Sequence, residues 1–215
     1  MQFSEWEPTY REILKDMGYD SLSDESSARL LKALLMNSDL IDDDELRSMI
    51  GKTVVITGGA YDSEEAPEAD TLIATGSSIP KLLSRNIVPD VIVTDLDGDL
   101  EAQKKASSQG SVTVIHAHGD NTDAIMKHAR EFTGKILMTT QSRPELTIYN
   151  FGGFSDGDRA VCMAGHFGAE KVFLLGFNFK TPSDKYGSDH ETKLKKLEWA
   201  ERIISMNRNM EIRYI

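Results

Sequence analysis

Hydrophobic positions change their period near residue 50. Before it they recur three and four residues apart, as Tyr10, Ile13, Leu14 and Met17 and then Leu30, Leu31, Leu34 and Leu35. That spacing lines one face of a helix. A first helix is expected from Pro8 to Met17 and a second from Ser23. Asp42 and Glu45 have the spacing of a capping box ahead of Leu46, Met49 and Ile50, which predicts a third. Trp6 is the residue expected to pack this prefix, residues 1–50, onto the rest of the chain; binding a partner is the other use open to it.

From Gly51 onward, short β-branched runs alternate with helical stretches. Strands are expected at Lys52–Thr57, Thr71–Ala74, Val91–Thr94, Val112–Ile115, Lys135–Met138, Leu146–Tyr149, Lys171–Leu175 and Glu211–Tyr214. Helices are expected around Pro80 with Leu82 and Leu83 facing inward, over Leu100–Ser108, from Asn121 to Glu131, over Asp158–His166, and over His190–Met206. Alternating β and α predicts an α/β fold whose mostly parallel sheet is covered on both faces. The expected organisation is a helical extension over 1–50 and an α/β domain over 51–215. The pattern leaves the strand order open.

Composition narrows the partners. A hydrophobic content of 40% fills the core of one such domain. Asp and Glu number 35 against 24 Lys and Arg, a net charge of −11. That balance argues against nucleic acid and against an anionic membrane surface. It leaves nucleotides open, because metal and backbone amides can meet their phosphates. Cys162 is the only cysteine, which excludes an intramolecular disulfide and a zinc–cysteine site. No basic segment followed by an apolar one opens the sequence, and no apolar run approaches ~18 residues. A soluble cytoplasmic protein is expected, and self-association into a homo-oligomer stays open.

The chemistry gathers where strands end. Val91–Thr94 runs into Asp95-Leu96-Asp97-Gly98-Asp99, and Val112–Ile115 runs into His116-Ala117-His118-Gly119-Asp120-Asn121-Thr122-Asp123. Carboxylates at the carboxyl end of a buried strand stand where α/β sheets place ligands. Asp95 and Asp97, two apart, project to one side of an extended chain. Asp120 and Asp123, three apart, share a face if a helix starts there. Together the four suggest a divalent cation, Mg²⁺, bound by a few carboxylates plus phosphate oxygens. Taken singly, each also reads as a turn or helix-cap residue.

Other segments fit a phosphorylated ligand. Thr57-Gly58-Gly59 and Thr75-Gly76-Ser77-Ser78 follow strands, and small residues there let backbone N–H groups approach phosphate. The same residues also serve turn geometry alone. Neither stretch is a dinucleotide fingerprint, and no P-loop motif occurs. In Asn150-Phe151-Gly152-Gly153-Phe154-Ser155-Asp156-Gly157-Asp158-Arg159, the aromatics can stack on a flat ring, Asp156 or Asp158 can accept from ring nitrogens, and Arg159 can meet phosphate. A plain loop capped by Ser155 or Asp156 is the other reading. His116 and His118 have the spacing of paired zinc ligands, but His128, His166 and His190 supply no obvious third ligand. One of the pair is expected near phosphate. Lys193 and Lys196 share a helical face and are either solvated or within reach of a triphosphate.

These motifs resemble the archaeal 6-hydroxymethyl-7,8-dihydropterin diphosphokinases, which are similar in their core to thiamine diphosphokinases. The resemblance rests on Pro89 through Gly98, with Asp120-Asn121-Thr122-Asp123 downstream, and covers about residues 50–215. Thr94 and Gly98 depart from the thiamine enzymes' Gly-Asp-x-Asp-Ser motif and favour the pterin branch. The resemblance implies a Rossmann-like catalytic domain that moves diphosphate from ATP to a pterin hydroxymethyl group with release of AMP, for a folate- or methanopterin-type pathway. It implies Mg²⁺ held by Asp95, Asp97, Asp120 and Asp123. Gly76, Ser77 and Ser78 would line the ATP side, with His118 and Lys193 near phosphate. Gly152, Gly153, Ser155 and Asp156 would lie on the pterin side. Thiamine as acceptor, and a nucleotide-sugar protein using Asp95-x-Asp97, are the alternatives.

Overall fold

The computed structural model describes residues 1–62, 67–180 and 190–215. Every expected strand forms: β1 (Thr53–Thr57), β2 (Thr71–Thr75), β3 (Val91–Thr94), β4 (Val112–Ala117), β5 (Ile136–Thr140), β6 (Ile148–Tyr149), β7 (Lys171–Leu175) and β8 (Glu211–Tyr214). They make one eight-stranded sheet in the order β6-β5-β4-β3-β2-β1-β7-β8, with every neighbouring pair parallel. Strands β1 to β6 step outward on one side of β1, and β7 and β8 lie on the other. The order therefore reverses between β1 and β7, and α/β sheets open a crevice at the carboxyl ends beside such a reversal.

The helices are α1 (Phe3–Met17), α2 (Ser21–Leu35), α3 (Asp43–Met49), α4 (Ile79–Ser84), α5 (Leu100–Ser108), α6 (Thr122–His128), α7 (Asp156–His166) and α8 (His190–Met206). A parallel sheet buries both faces, and alternate residues serve each. Val54, Ile56, Ile73, Val91, Val93, Val114 and Leu174 pack with Leu46 of α3, Val161 and Ala164 of α7 and Ile204 of α8. On the opposite face Val55, Ala74 and Ile92 meet Ile79 and Leu82 of α4 and Ala106 of α5. Beside them Ile115, Ala117, Ile136 and Met138 meet Ala28, Leu31 and Leu35 of α2 and Ile125 of α6.

The prefix is thus shared between the two faces. Trp6, Tyr10 and Ile13 of α1 pack with Cys162 of α7 and with Trp199 and Ile203 of α8, outside the first layer. Helix α2 lies across the sheet from them. After α2, Ile41 donates to the Ile136 carbonyl at 2.9 Å and Ile136 donates to that of Asp39 at 2.9 Å, which ties the prefix to β5. Gly18, at φ +68°, ends α1 in the left-handed region, and the elbow it starts carries Tyr19 over the carboxyl end of the sheet.

Several boundaries shift by one or two residues from expectation, and three differences have a plain physical cause or change the architecture. Helix α1 begins at Phe3 rather than Pro8, because a reciprocal Gln2–Glu5 cap and the burial of Trp6 extend it past the proline. Strand β6 has two residues rather than four. Glu145 and Ile148 exchange backbone hydrogen bonds of 3.1 and 2.7 Å across a tight turn, which leaves Leu146 at its tip 92% exposed. The helix expected to Glu131 is split: α6 ends at His128 and a 3-10 turn follows over Ala129–Glu131.

Trp6 is fully buried, and its Nε1–H donates to the Gln141 carbonyl at 2.8 Å. Trp6→Ala should cost about 3–5 kcal/mol, the usual loss for a buried large aromatic. The loss should appear as a lower urea midpoint in a single transition, because α1 shares the core of α7 and α8. Two separate transitions would show a prefix that folds apart from the sheet.

Candidate active site

A cavity of about 800 Å³ lies over the carboxyl ends of the strands, a size typical of small-molecule sites. Its wall takes Gly58, Gly59 and Ala60 after β1, Thr75 and Ser77 after β2, Asp95 and Asp97 after β3, and His116, His118 and Asp120 at and after β4. Gln141 follows from β5 and Gly176 to Phe179 from β7. Ser155 and Asp156 enter from the start of α7, Lys193 and Lys196 from α8, and Tyr19 from the α1–α2 elbow.

The acidic turn after β3 is not extended. Leu96 adopts φ +66°, unusual for a bulky side chain, and is buried in the cluster beneath α2 and α6. With Leu96 turned inward, the flanking Asp95 and Asp97 face the cavity. Buried hydrogen bonds hold the bend. Thr94 Oγ1 accepts from Leu96 N–H at 2.9 Å and donates to Gln103 Oε1 at 2.7 Å, and Gln103 Nε2 donates to the Asp97 carbonyl at 2.6 Å.

Asp156 completes this acidic wall. Burial, and then the charges of Asp95 and Asp97, hold its carboxyl well above the usual carboxylate range, while Arg159 and the Gly76 N–H pull the other way. His118 faces the same wall, with Nε2 at 3.5 Å from Asp95 Oδ2. Its Nδ1 accepts from Asp120 N–H at 3.2 Å, so in the neutral ring the proton sits on Nε2. Asp120 looks elsewhere: its Oδ2 lies 3.9 Å from Lys196 Nζ, and its carboxylate also meets the Tyr19 hydroxyl.

A buried cation lies below. Arg159 Nη2 donates to the Gly153 carbonyl at 2.6 Å and to His116 Nε2 at 2.9 Å, and Nη1 donates to the Gly152 carbonyl at 3.3 Å. Burial pushes this guanidinium down to about 10 against the pull of Asp158 and Asp156. His116, fully buried, is held well below its ordinary range by burial, then by Arg159 and His118. It is therefore neutral, with its lone pair on Nε2 and its proton on Nδ1.

The two ends of the cavity are aromatic. At one, Lys196 Nζ lies 5.6 Å from the centre of the Tyr19 ring and 5.9 Å from that of Phe154, within cation–π range. At the other, Phe177 and Phe179 have ring centres 6.0 Å apart. Phe177 can sit there because Gly58 and Gly157 are bare: a Cβ on Gly157 would meet it at 2.5 Å.

The structure sorts the residues expected from sequence. It brings Ser77, Asp95, Asp97, His118, Asp120, Ser155, Asp156 and Lys193 to one cavity. Asp123 lies in the first turn of α6, exposed and away from the lining. Gly76 also stands behind the lining, where its N–H works against the rise of the Asp156 carboxyl. Ser78 is buried, donating to the Thr75 carbonyl at 2.9 Å. Gly152 and Gly153, at φ +88° and +98°, form the seat of Arg159; a Cβ on Gly153 would stand 2.4 Å from the Arg159 Cα. Arg159 is thus occupied inside the protein rather than open to phosphate. Asp158 caps α7, accepting from Ser155 Oγ at 2.6 Å and from the Phe154 and Ser155 N–H groups.

Among the described residues, no three His, Cys, Asp or Glu side chains form a ready-made metal cage. Mg²⁺ needs only one or two protein carboxylates beside phosphate oxygens and water, and Asp95 with Asp97 is the pair that could hold it. Sequence reasoning missed Tyr19 and Gln141, which both line the cavity. It also passed over Asp24, whose buried carboxylate accepts from Gly119 N–H and from Gln141 Nε2; a signal existed, because Asp24 shares the α2 stripe of Ala28, Leu31 and Leu35, where an acid is out of place. Among the described residues, no helix is long and apolar enough to cross a membrane.

Comparison with known proteins adds to this geometry. A family model described as 6-hydroxymethylpterin diphosphokinase MptE-like matches residues 64–184. A Pyrococcus furiosus protein named 6-hydroxymethyl-7,8-dihydropterin pyrophosphokinase is 39% identical over 223 residues, covering 97% of this chain and 95% of its own. Proteins of the same name from Methanocaldococcus jannaschii and Methanothermobacter thermautotrophicus are each 34% identical, covering 100% and 99% of this chain and 100% and 98% of their own. The likeness therefore reaches through the helical prefix, beyond the 50–215 expected from motifs.

The neutral His116 gives a pH prediction. Its folded pKa lies below the 6.5 of a free ring, so the unfolded chain takes the proton first as pH falls. This contribution to stability is complete above about pH 6.5 and is lost below it. His166, also lowered by burial, acts in the same direction. The urea midpoint of the wild type should fall between pH 7.5 and 5.5 by more than that of His116→Gln. Equal falls would mean that His116 accepts a proton in the folded state.

Proposed function

This chain belongs to the 6-hydroxymethylpterin diphosphokinase MptE-like family, and we propose on that footing that it moves diphosphate from ATP to 6-hydroxymethyl-7,8-dihydropterin. The observation that carries the reading is identity of 34–39% to three relatives of that name across nearly the whole chain. The cavity supports it. Two aromatic ends suit two flat heterocycles, and between them stand the carboxylates, lysines and small-residue turns that a polyphosphate needs.

The reaction makes one bond and breaks one. The hydroxymethyl oxygen attacks the β-phosphorus, the bond from that phosphorus to the α–β bridging oxygen breaks, and AMP leaves. The hydroxyl proton is lost to a carboxylate of the acidic wall or to water. Mg²⁺, when bound, supplies Lewis-acid neutralisation of charge on the phosphate oxygens. Asp95 and Asp97 would hold it. Lys193 and Lys196 would meet the terminal phosphates, and Ser77 with the Gly58–Gly59 turn would receive phosphate oxygens. His118 would steady Asp95 through its Nε2–H. Positioning and charge neutralisation carry most of the work in such transfers.

Incubation with ATP, Mg²⁺ and either 6-hydroxymethyl-7,8-dihydropterin or thiamine tests the reading. AMP should form with the pterin alone. ADP would mean transfer of a single phosphoryl group, AMP with thiamine would move the acceptor assignment, and no turnover would sink the reading. Asp97→Ala should reduce turnover by roughly a hundredfold or more, the scale of losing one charge-stabilising group. The fold should survive, because the substitution leaves in place the Asp97 carbonyl that ties the turn to Gln103. Turnover near the wild-type rate would remove Asp97 from the metal and phosphate face.

A further inference from the structure

We propose that Asp24 is a positioning residue, through which the α1–α2 hairpin fixes the turn that carries His118 and Asp120. Asp24 is 2% exposed, and its carboxylate accepts from three donors. Oδ1 takes the Gly119 N–H at 2.7 Å; Oδ2 takes the Tyr10 hydroxyl at 2.6 Å and the Gln141 amide at 2.8 Å. A carboxylate on an apolar helix stripe is costly to bury, and an aliphatic residue would pack there at less expense. What an aliphatic residue cannot do is accept the Gly119 N–H.

The three successive N–H groups of the turn show why that bond matters. His118 N–H donates to Asn121 Oδ1 at 3.0 Å, and Asp120 N–H donates to His118 Nδ1 at 3.2 Å. Both acceptors belong to the turn itself. The Gly119 acceptor comes from another helix, so this bond fixes the turn against α2, while Asn121 Nδ2, donating to the Asp95 carbonyl at 2.8 Å, ties it to the neighbouring turn. Contact is close on both sides. A Cβ on Gly119 would stand 2.8 Å from Ser23 Cβ, and Ser27 Oγ meets Thr122 Oγ1 at 2.5 Å. A shift of α2 would carry with it the imidazole that faces Asp95 and the carboxylate that faces Lys196.

Three variants test this: Asp24→Ala, Asp24→Asn and Tyr10→Phe. The effect on turnover rests on the diphosphokinase reading; the exchange rate of the Gly119 amide does not. In Asp24→Ala, kcat should fall about tenfold or more, the scale of a lost supporting contact, with KM for ATP and pterin changed far less. Gly119 should exchange its amide proton at least about tenfold faster. Asp24→Asn should restore both to near wild type, because an amide oxygen still accepts from Gly119 while the Tyr10 hydroxyl and Gln141 amide can turn. Tyr10→Phe should lower the melting temperature and leave kcat unchanged, since the Gly119 bond survives. If Asp24→Ala does not fold, Asp24→Leu keeps the stripe filled and removes the acceptor. Unchanged kcat and Gly119 exchange in the folded acceptor-less variant would overturn the proposal. So would a Tyr10→Phe enzyme whose kcat falls in step with its stability. Absence of AMP from the wild type would refute the diphosphokinase reading alone, and Gly119 exchange would still decide the role of Asp24.

Discussion

A parallel sheet has to be covered on both faces, because its strands present apolar side chains to each. Crossover helices deliver part of that cover. Helix α7 lies under the centre of one face, and α4, α5 and α6 lie along the other. The far end of the second face, at β4 and β5, also needs the apolar stripe of α2. Helix α1 instead packs outside α7 and α8 on the first face. A chain with one helix on each face must cross an edge or an end of the sheet between them. Here the Gly18–Tyr19 elbow brings it over the carboxyl end, where the cavity lies. The demand for cover thus places a prefix aromatic in the wall of the site.

The strand ends themselves collect negative charge. Asp95, Asp97 and Asp156 lie near enough for the first two to raise the third. Arg159 offsets part of this from below, and its own burial is eased because two loop carbonyls and His116 Nε2 accept hydrogen bonds from its Nη1 and Nη2. Gly152 and Gly153 make that geometry available, since a side chain on Gly153 would overlap the Arg159 backbone. Gly152 and Gly153 therefore act on the site through Arg159 and the start of α7, while Phe154 and Ser155 of the same loop line the cavity.

What the sequence disclosed follows from the range of the forces involved. Strands β1 to β5 and β7 were legible because their apolar runs are continuous and sharply bounded. The acidic turns were legible because they follow such runs directly. The sequence did not disclose which acids meet. Asp120 and Asp123 are near in sequence, yet the 3-10 turn before α6 sends them apart. Asp156, some sixty positions from Asp95, joins it because α7 starts over the end of β3. The role of Arg159 was misread for the same reason: a lone arginine beside glycines shows nothing of the carbonyls that will surround it. Tyr19 was invisible because its use depends on where the chain crosses the sheet.

Leu96 shows how local strain and tertiary burial combine at the site. A left-handed Leu costs on the order of 1 kcal/mol or more in backbone energy. Burying its side chain beneath α2 and α6 contributes roughly 1.5–3 kcal/mol, enough to hold the strained form. The bend turns Asp95 and Asp97 to the cavity, and helix α2 supplies much of the cluster that receives Leu96. The same helix carries Asp24, which holds Gly119 and with it the turn bearing His118. Both turns of the acidic wall are thus referenced to α2. One consequence is that prefix and sheet make sense only as a single unit, in keeping with relatives that match from one end of the chain to the other.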